Sequence, residues 1–141
     1  MADGAGGTVL VVDDDKLVRR LLGRALDKGG FDVDEESDGE GAVDYLTSPK
    51  AGRVGVVLMD FEMRRMGGIE ATAAIRRVNE DVPIVGITGD TSDAPRERAL
   101  KAGMLEVLSK PVKSKQLLEV VARVLADRPA RRSAVRKDAR K

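Results

Sequence analysis

Histidine, cysteine and tryptophan are all absent from this 141-residue chain, which has only two phenylalanines and one tyrosine. Without cysteine there is neither a disulfide framework nor a thiolate metal site. Without histidine there is no imidazole base, no His-ligated zinc and no phosphohistidine carried by the chain itself. Chemistry must run on Asp, Glu, Lys, Thr and Ser. Nor is there an apolar run of membrane-spanning length. Met1 to Gly7 is small and expected to be flexible, with no basic n-region and no apolar h-region. The expectation is a soluble protein of the cytoplasm, or of the nucleus in a eukaryote.

The length suits one domain with a real core and leaves no room for a second. Net charge is +1, unevenly placed. Residues 1–126 hold 18 basic and 22 acidic side chains, whereas 127–141 hold 7 and 2. Residues 8–126 read as the folded domain. Residues 127–141 read as a basic, disordered tail, and Arg131-Arg132 and Arg136-Lys137 give it an electrostatic contact to offer nucleic acid or an acidic partner.

Hydrophobic patterning divides the domain into five βα units. Thr8 to Val12 predicts a strand, and Lys16 to Lys28 a helix with Leu17, Val18, Leu21, Leu22, Ala25 and Leu26 on one stripe, ended by Gly29-Gly30. Phe31 to Glu36 predicts a more exposed strand, followed by a helix from Gly39 to Leu46. Val54 to Met59, nearly all apolar, predicts a central strand, and Ile69 to Val78 the next helix. Pro83 to Ile87 and Glu106 to Leu108 complete the strands. A helix with Pro95 in its first turn stands between them, and Lys115 to Ala126 forms the last helix. Strict alternation of this kind predicts a doubly wound α/β fold: a five-stranded parallel sheet with five helices on its two faces.

Chemistry concentrates at strand ends. Val9-Leu10-Val11-Val12 runs straight into Asp13-Asp14-Asp15. Two unit charges about 4 Å apart repel by roughly 4 kcal/mol at an effective dielectric near 20, a strain relieved by a proton or a cation. Oxygen-only ligands suit magnesium best, although a solvated acidic turn capping the next helix would show the same residues. In a parallel sheet the carboxyl ends share one edge. Asp60 after the third strand, Thr88 after the fourth and Lys110 after the fifth should therefore join the acids in one crevice. Acids for a divalent cation, a further carboxylate, a hydroxyl and an ammonium together describe a phosphoryl site.

These residues also resemble the receiver domain of two-component response regulators, in the phosphorelay and hybrid histidine kinase style. The resemblance covers residues 8–126. It rests on Val-Val-Asp-Asp-Asp at 11–15, Leu-Met-Asp-Phe-Glu-Met at 58–63 with Gly68, Gly-Ile-Thr-Gly at 86–89 and Ser-Lys-Pro-Val at 109–112. It implies a flavodoxin-like strand order 2-1-3-4-5, with Asp60 as phosphoacceptor for a phosphohistidine on a histidine kinase or histidine phosphotransfer protein. It implies Mg²⁺ bound by Asp14, Asp60 and the backbone carbonyl of Glu62, with Asp13 acting through water and Asp15 left as a helix cap. Thr88 and Lys110 would be the switch residues, Gly89 and Pro111 their neighbours, and Ala94–Ala126 the face that meets a downstream protein. Such a chain is a signalling switch, not an enzyme, and a monomer or weak dimer.

Departures are specific. Val107 stands where many receivers carry an aromatic switch residue, so a switch of that kind cannot operate. Arg64 replaces the usual proline and Gly67 a common Asp, so the loop after Asp60 is expected to be more flexible and more basic. Glu62 adds a carboxylate expected to govern how fast water reaches an acyl phosphate. A haloacid dehalogenase type of phosphatase is the rival, with Asp13 as nucleophile, Asp13-x-Asp15 after a strand and Gly89-Asp90 with Asp93 as the later acidic loop. It leaves Asp60 without a role, puts the lysine after that loop and lacks a cap insertion. A pseudo-receiver, an interaction module with a vestigial site, would have lost the metal acids, the acceptor or the lysine, and all are present.

Overall fold

Unbroken runs of β-branched and aliphatic residues make strands that tolerate burial on both faces, and two such strands form the centre of this sheet. The computed structural model describes residues 7–140, with side chains as far as Asp127. Five strands, β1 (Thr8–Val12), β2 (Asp32–Glu36), β3 (Val54–Asp60), β4 (Ile84–Thr88) and β5 (Glu106–Ser109), alternate with five helices, α1 (Lys16–Lys28), α2 (Gly39–Leu46), α3 (Gly68–Arg76), α4 (Asp93–Ala102) and α5 (Ser114–Arg140). A 3-10 turn, Pro49–Arg53, precedes β3. All pairings are parallel, in the order β2-β1-β3-β4-β5. The doubly wound fold expected from the alternation is therefore the fold observed. The order reverses beside β1 and β3, and the crevice at their carboxyl ends is where such sheets place ligands.

Alternation along the central strands feeds two cores. Leu10, Val12, Val57 and Met59 pack on one face with Ala42 and Tyr45 of α2, Ala71 and Ile75 of α3 and Ala99 of α4. Val9, Val11, Val56 and Leu58 pack on the other with Leu26 of α1 and Leu117, Val121 and Val124 of α5. Burial of this order, at roughly 25 cal/mol per Å² of apolar surface, is what fixes the strand ends in register. Among the described residues, no helix is long and apolar enough to cross a membrane.

Two expectations are corrected. Leu17 and Leu21 do not join the buried stripe of α1; they are 62% and 58% exposed, and packing runs instead through Leu22, Ala25 and Leu26. The backbone of α5 continues to Arg140, so most of the expected disordered tail is helical. The stretch is rich in Ala, Arg and Lys, good helix formers, and it propagates from a helix already nucleated by packing. Residues 1–6 of the expected flexible N-terminus lie outside the described residues.

Candidate functional site

The three acids after β1 divide by position. Asp13, 3% exposed, directs Oδ1 at the Asp15 amide, which donates at 2.8 Å, while its carbonyl accepts from Arg19 Nη1 at 2.6 Å. Asp15 turns away: its Oδ1 accepts from the amides of Leu17 and Val18 at 2.9 and 3.4 Å, making it the N-cap of α1. Asp14 is half-buried and faces the crevice. Asp60 ends β3 at 3% exposure, and α3 begins so close behind it that a Cβ on Gly68 would collide with the Asp60 carbonyl. Carboxylate oxygens of Asp13, Asp14 and Asp60 lie within 4.8 Å of one another. Asp60 Oδ1, fully buried, receives no hydrogen bond from the described residues, though Lys110 Nζ stands 2.9 Å from it as an ion pair. Three converging carboxylates, one with an oxygen lacking a hydrogen bond, form an all-oxygen donor set that fits a hard divalent cation.

Electrostatics record the crowding. Burial pushes the Asp60 carboxyl above its ordinary 3.8, against the downward pull of Lys110 and of the Glu62 amide. Burial likewise raises Asp13, opposed by the Asp15 amide and reinforced by the charge of Asp60. For Lys110, burial works downward but the pairing with Asp60 and the charges of Asp13 and Glu62 outweigh it, so its ammonium is held above 10.5. The site carries more negative charge than one ammonium offsets. It is built to receive positive charge.

The remaining residues expected at the site fall around these four. Thr88 ends β4 with 1% exposure; its hydroxyl donates to Glu62 Oε2 at 3.3 Å and accepts from the Asp90 amide at 3.0 Å. Gly89 is exposed, with open space where a Cβ would stand. The Lys110–Pro111 peptide bond is cis. Val107 is partly buried against the cluster that holds Phe61 and Met104, so apolar filler occupies the place of an aromatic.

Sequence reasoning missed one thing here. The loop after Asp60, expected to be looser, is tied at two points. Arg64 donates its amide and Nε to Asp14 Oδ2 at 3.0 and 3.3 Å, and Arg65 pairs with Asp38 and Glu40 at 3.8 and 2.9 Å. Arg-Arg in a loop flanked by acids was the available signal; which acid each would choose depends on the path of the loop.

Comparison with known proteins agrees with this geometry. The family described as the response regulator receiver domain matches residues 9–122. The response regulator MprA of Mycolicibacterium vanbaalenii is 36% identical over 110 residues, covering 78% of this chain and 46% of the relative. Hybrid signal transduction histidine kinase I of Dictyostelium discoideum is 32% identical over 119 residues, covering 80% of this chain and 7% of the kinase. The chain thus spans less than half the length of these curated relatives. Among solved structures, the chemotaxis protein CheY4 of Vibrio cholerae superposes with a TM-score of 0.77 at 28% identity, covering 84% of this chain and 98% of that one. A parallel sheet in the order β2-β1-β3-β4-β5, an acid triad beside a lysine, and a family match spanning nearly all of the packed residues lead to one assignment: the chain belongs to the response regulator receiver domain family.

Proposed function

We propose that the chain is a phosphoacceptor switch in a two-component phosphorelay, with Asp60 taking a phosphoryl group from a phosphohistidine on a histidine kinase or histidine phosphotransfer protein. The observation that carries this reading is the buried Asp60 carboxylate, with Lys110 Nζ at 2.9 Å and two further acids within reach of the same point. One oxygen of Asp60 attacks phosphorus in line. The new P–O bond forms as the P–N bond to the donor imidazole breaks, and that electron pair leaves with the imidazole. Lys110 needs little movement to turn from the carboxylate to a phosphoryl oxygen. Thr88 must exchange Glu62 for a phosphoryl oxygen, and the Asp90 amide steadies its hydroxyl from the other side.

Asp14 and Asp60 would hold Mg²⁺ directly with the Glu62 carbonyl, and Asp13 through water; the bound ion offsets phosphoryl charge. The chain's own residues supply the orientation: Asp15 fixes Asp13 through its amide, and Gly68 lets α3 close behind Asp60. Movement of Thr88 and Lys110 biases a contact face in Ala94–Ala126, where Leu100 and Leu105 are each 40% exposed. Phosphorylation then selects between two conformers a few kcal/mol apart. The phosphatase reading gives Asp60 no task at the centre of the site, and a vestigial site would not retain the whole constellation.

Incubation with Mg²⁺ and a small phosphodonor, followed by mass mapping, tests the proposal. One phosphoryl group on Asp60 is expected, absent from Asp60→Asn. No adduct on Asp60, or turnover that survives Asp60→Asn, overturns it.

A further inference from the structure

Each acid of the triad has its own partner in the protein. Asp13 Oδ1 accepts from the Asp15 amide at 2.8 Å, Asp60 Oδ1 pairs with Lys110 at 2.9 Å, and Asp14 Oδ2 accepts from both the amide and Nε of Arg64 at 3.0 and 3.3 Å. The first partner is backbone at the start of α1, and the second is a side chain just after β5. Arg64 alone sits in an exposed loop, with its side chain 86% accessible to solvent.

We propose that Arg64 is a tethered counter-cation of the metal site: it holds Asp14 when magnesium is away and must let go for Asp14 to take up the ion. The inference rests on the Mg²⁺-binding reading above and deepens it. An oxygen already accepting two N–H groups has little lone-pair capacity left, so an ion that takes Oδ2 must displace Arg64 from it. A proline at position 64 would have no N–H to give, and alanine would keep only the main-chain one, so the Nε half of the tie is what arginine adds. An exposed guanidinium is screened by water and gives way easily, which makes this contact a tax on metal affinity and not a block. Arg65 provides an internal contrast. It carries the same charge one residue along but is paired to Asp38 and Glu40. Metal uptake is therefore coupled to release of one of the two ties on the loop that follows the acceptor, while Arg65 keeps the other.

The test is calorimetric titration of the full chain with Mg²⁺ at low ionic strength. Arg64→Ala is expected to bind Mg²⁺ about two- to five-fold more tightly than wild type, the scale of one exposed ion pair, with Arg65→Ala gaining clearly less. Added salt should narrow the gap between Arg64→Ala and wild type. In the wild-type chain the Nε–H resonance of Arg64 is expected to move on saturation with Mg²⁺ while that of Arg65 stays. This readout decides the matter even if Arg64→Ala folds poorly. Equal gains for the two alanine variants, no gain for Arg64→Ala, or a stationary Arg64 resonance overturns the inference and leaves the phosphoacceptor reading intact. Absence of Mg²⁺ binding by every variant removes the metal site itself, and this inference with it.

Discussion

Along β2, the acids Asp32, Asp34 and Glu35 meet water or a donor, and half-buried Glu36 is pushed up by burial, whereas Asp13 and Asp60, at the ends of β1 and β3, are 3% exposed and crowded together. Asp34 accepts a hydrogen bond from the Tyr45 hydroxyl, and Glu35 pairs with Arg19 at 3.3 Å. The residue type and the sheet are the same; position differs. An edge strand hydrates or pairs most of its acids, while central strands carry theirs into a shared crevice where desolvation outweighs the donors available. The difference teaches that acidity alone does not mark a site: burial with incomplete compensation does.

The largest expected effect breaks the comparison at Asp60. Asp60→Asn should abolish phosphoryl uptake while raising stability in metal-free buffer by about 1 kcal/mol, the scale of a buried group freed from its desolvation cost. Asp34→Asn should do the reverse, leaving phosphorylation intact and losing stability. The pH dependence has a definite sign. Because folding raises the Asp60 carboxyl above 3.8, the folded chain holds more protons than the unfolded chain in the window above that value. That contribution is fully present below 3.8 and is lost as pH rises through the folded value. Asparagine does not titrate, so the advantage of Asp60→Asn should be larger near neutrality than in mild acid. Urea unfolding of both chains in EDTA measures it, and a constant gap would contradict the assignment of the strain to Asp60.

Lys110 comes next. Lys110→Met leaves Asp60 buried without its cation, and the rate of phosphoryl uptake should fall by about 10²-fold, as when one preorganised electrostatic group is removed. Because the Lys110 side chain is 34% accessible, the stability loss should be about 1–2 kcal/mol, less than for a fully buried pair. Stopped-flow phosphorylation and chemical unfolding read the two losses separately. A normal rate with reduced stability would make Lys110 a structural partner only.

On the β2 side, Tyr45→Phe removes the donor to Asp34 and should cost about 1–2 kcal/mol at neutral pH without changing phosphorylation. Burial first, then the hydrogen bond to Asp34, holds the Tyr45 hydroxyl above 10.0. Its stabilising contribution is therefore fully present below 10.0 and declines from there as pH rises toward the higher folded value, so the gap between wild type and Tyr45→Phe should narrow in alkali. Unfolding midpoints on either side of 10.0 check the narrowing.

The convergence of Asp13, Asp14, Asp60, Thr88 and Lys110 was legible because period and alternation impose a parallel sheet, and a parallel sheet gathers its strand ends. The capping role of Asp15 was legible too, from its place one residue before the helix. Leu17 and Leu21 were misread because a helical stripe does not say how much of its length a neighbour covers. The ties of Arg64 to Asp14 and Glu62 to Thr88 span 50 and 26 residues. Contacts of that kind depend on loop paths that no local pattern specifies. Val107 was legible as a missing aromatic, but its packing against the Phe61 and Met104 cluster was not.

The smallest expected effect concerns Glu62, an acid that belongs to neither class: it is exposed, yet its Oε2 accepts from the buried Thr88 hydroxyl at 3.3 Å. It lies two residues beyond Asp60, the proposed acceptor. On the proposed function, a carboxylate there would repel hydroxide approaching the phosphoryl group, and it would compete for the Thr88 hydroxyl that a phosphoryl oxygen needs. Glu62→Asn shortens and neutralises the side chain. Dephosphorylation should accelerate by about two- to five-fold, the range of an exposed electrostatic contact, with folding stability unchanged. Decay of phosphorylated wild type and Glu62→Asn, followed in parallel, gives the ratio. Equal lifetimes would show that Glu62 touches the switch residue without guarding the bond, and would place it with the satisfied acids of β2.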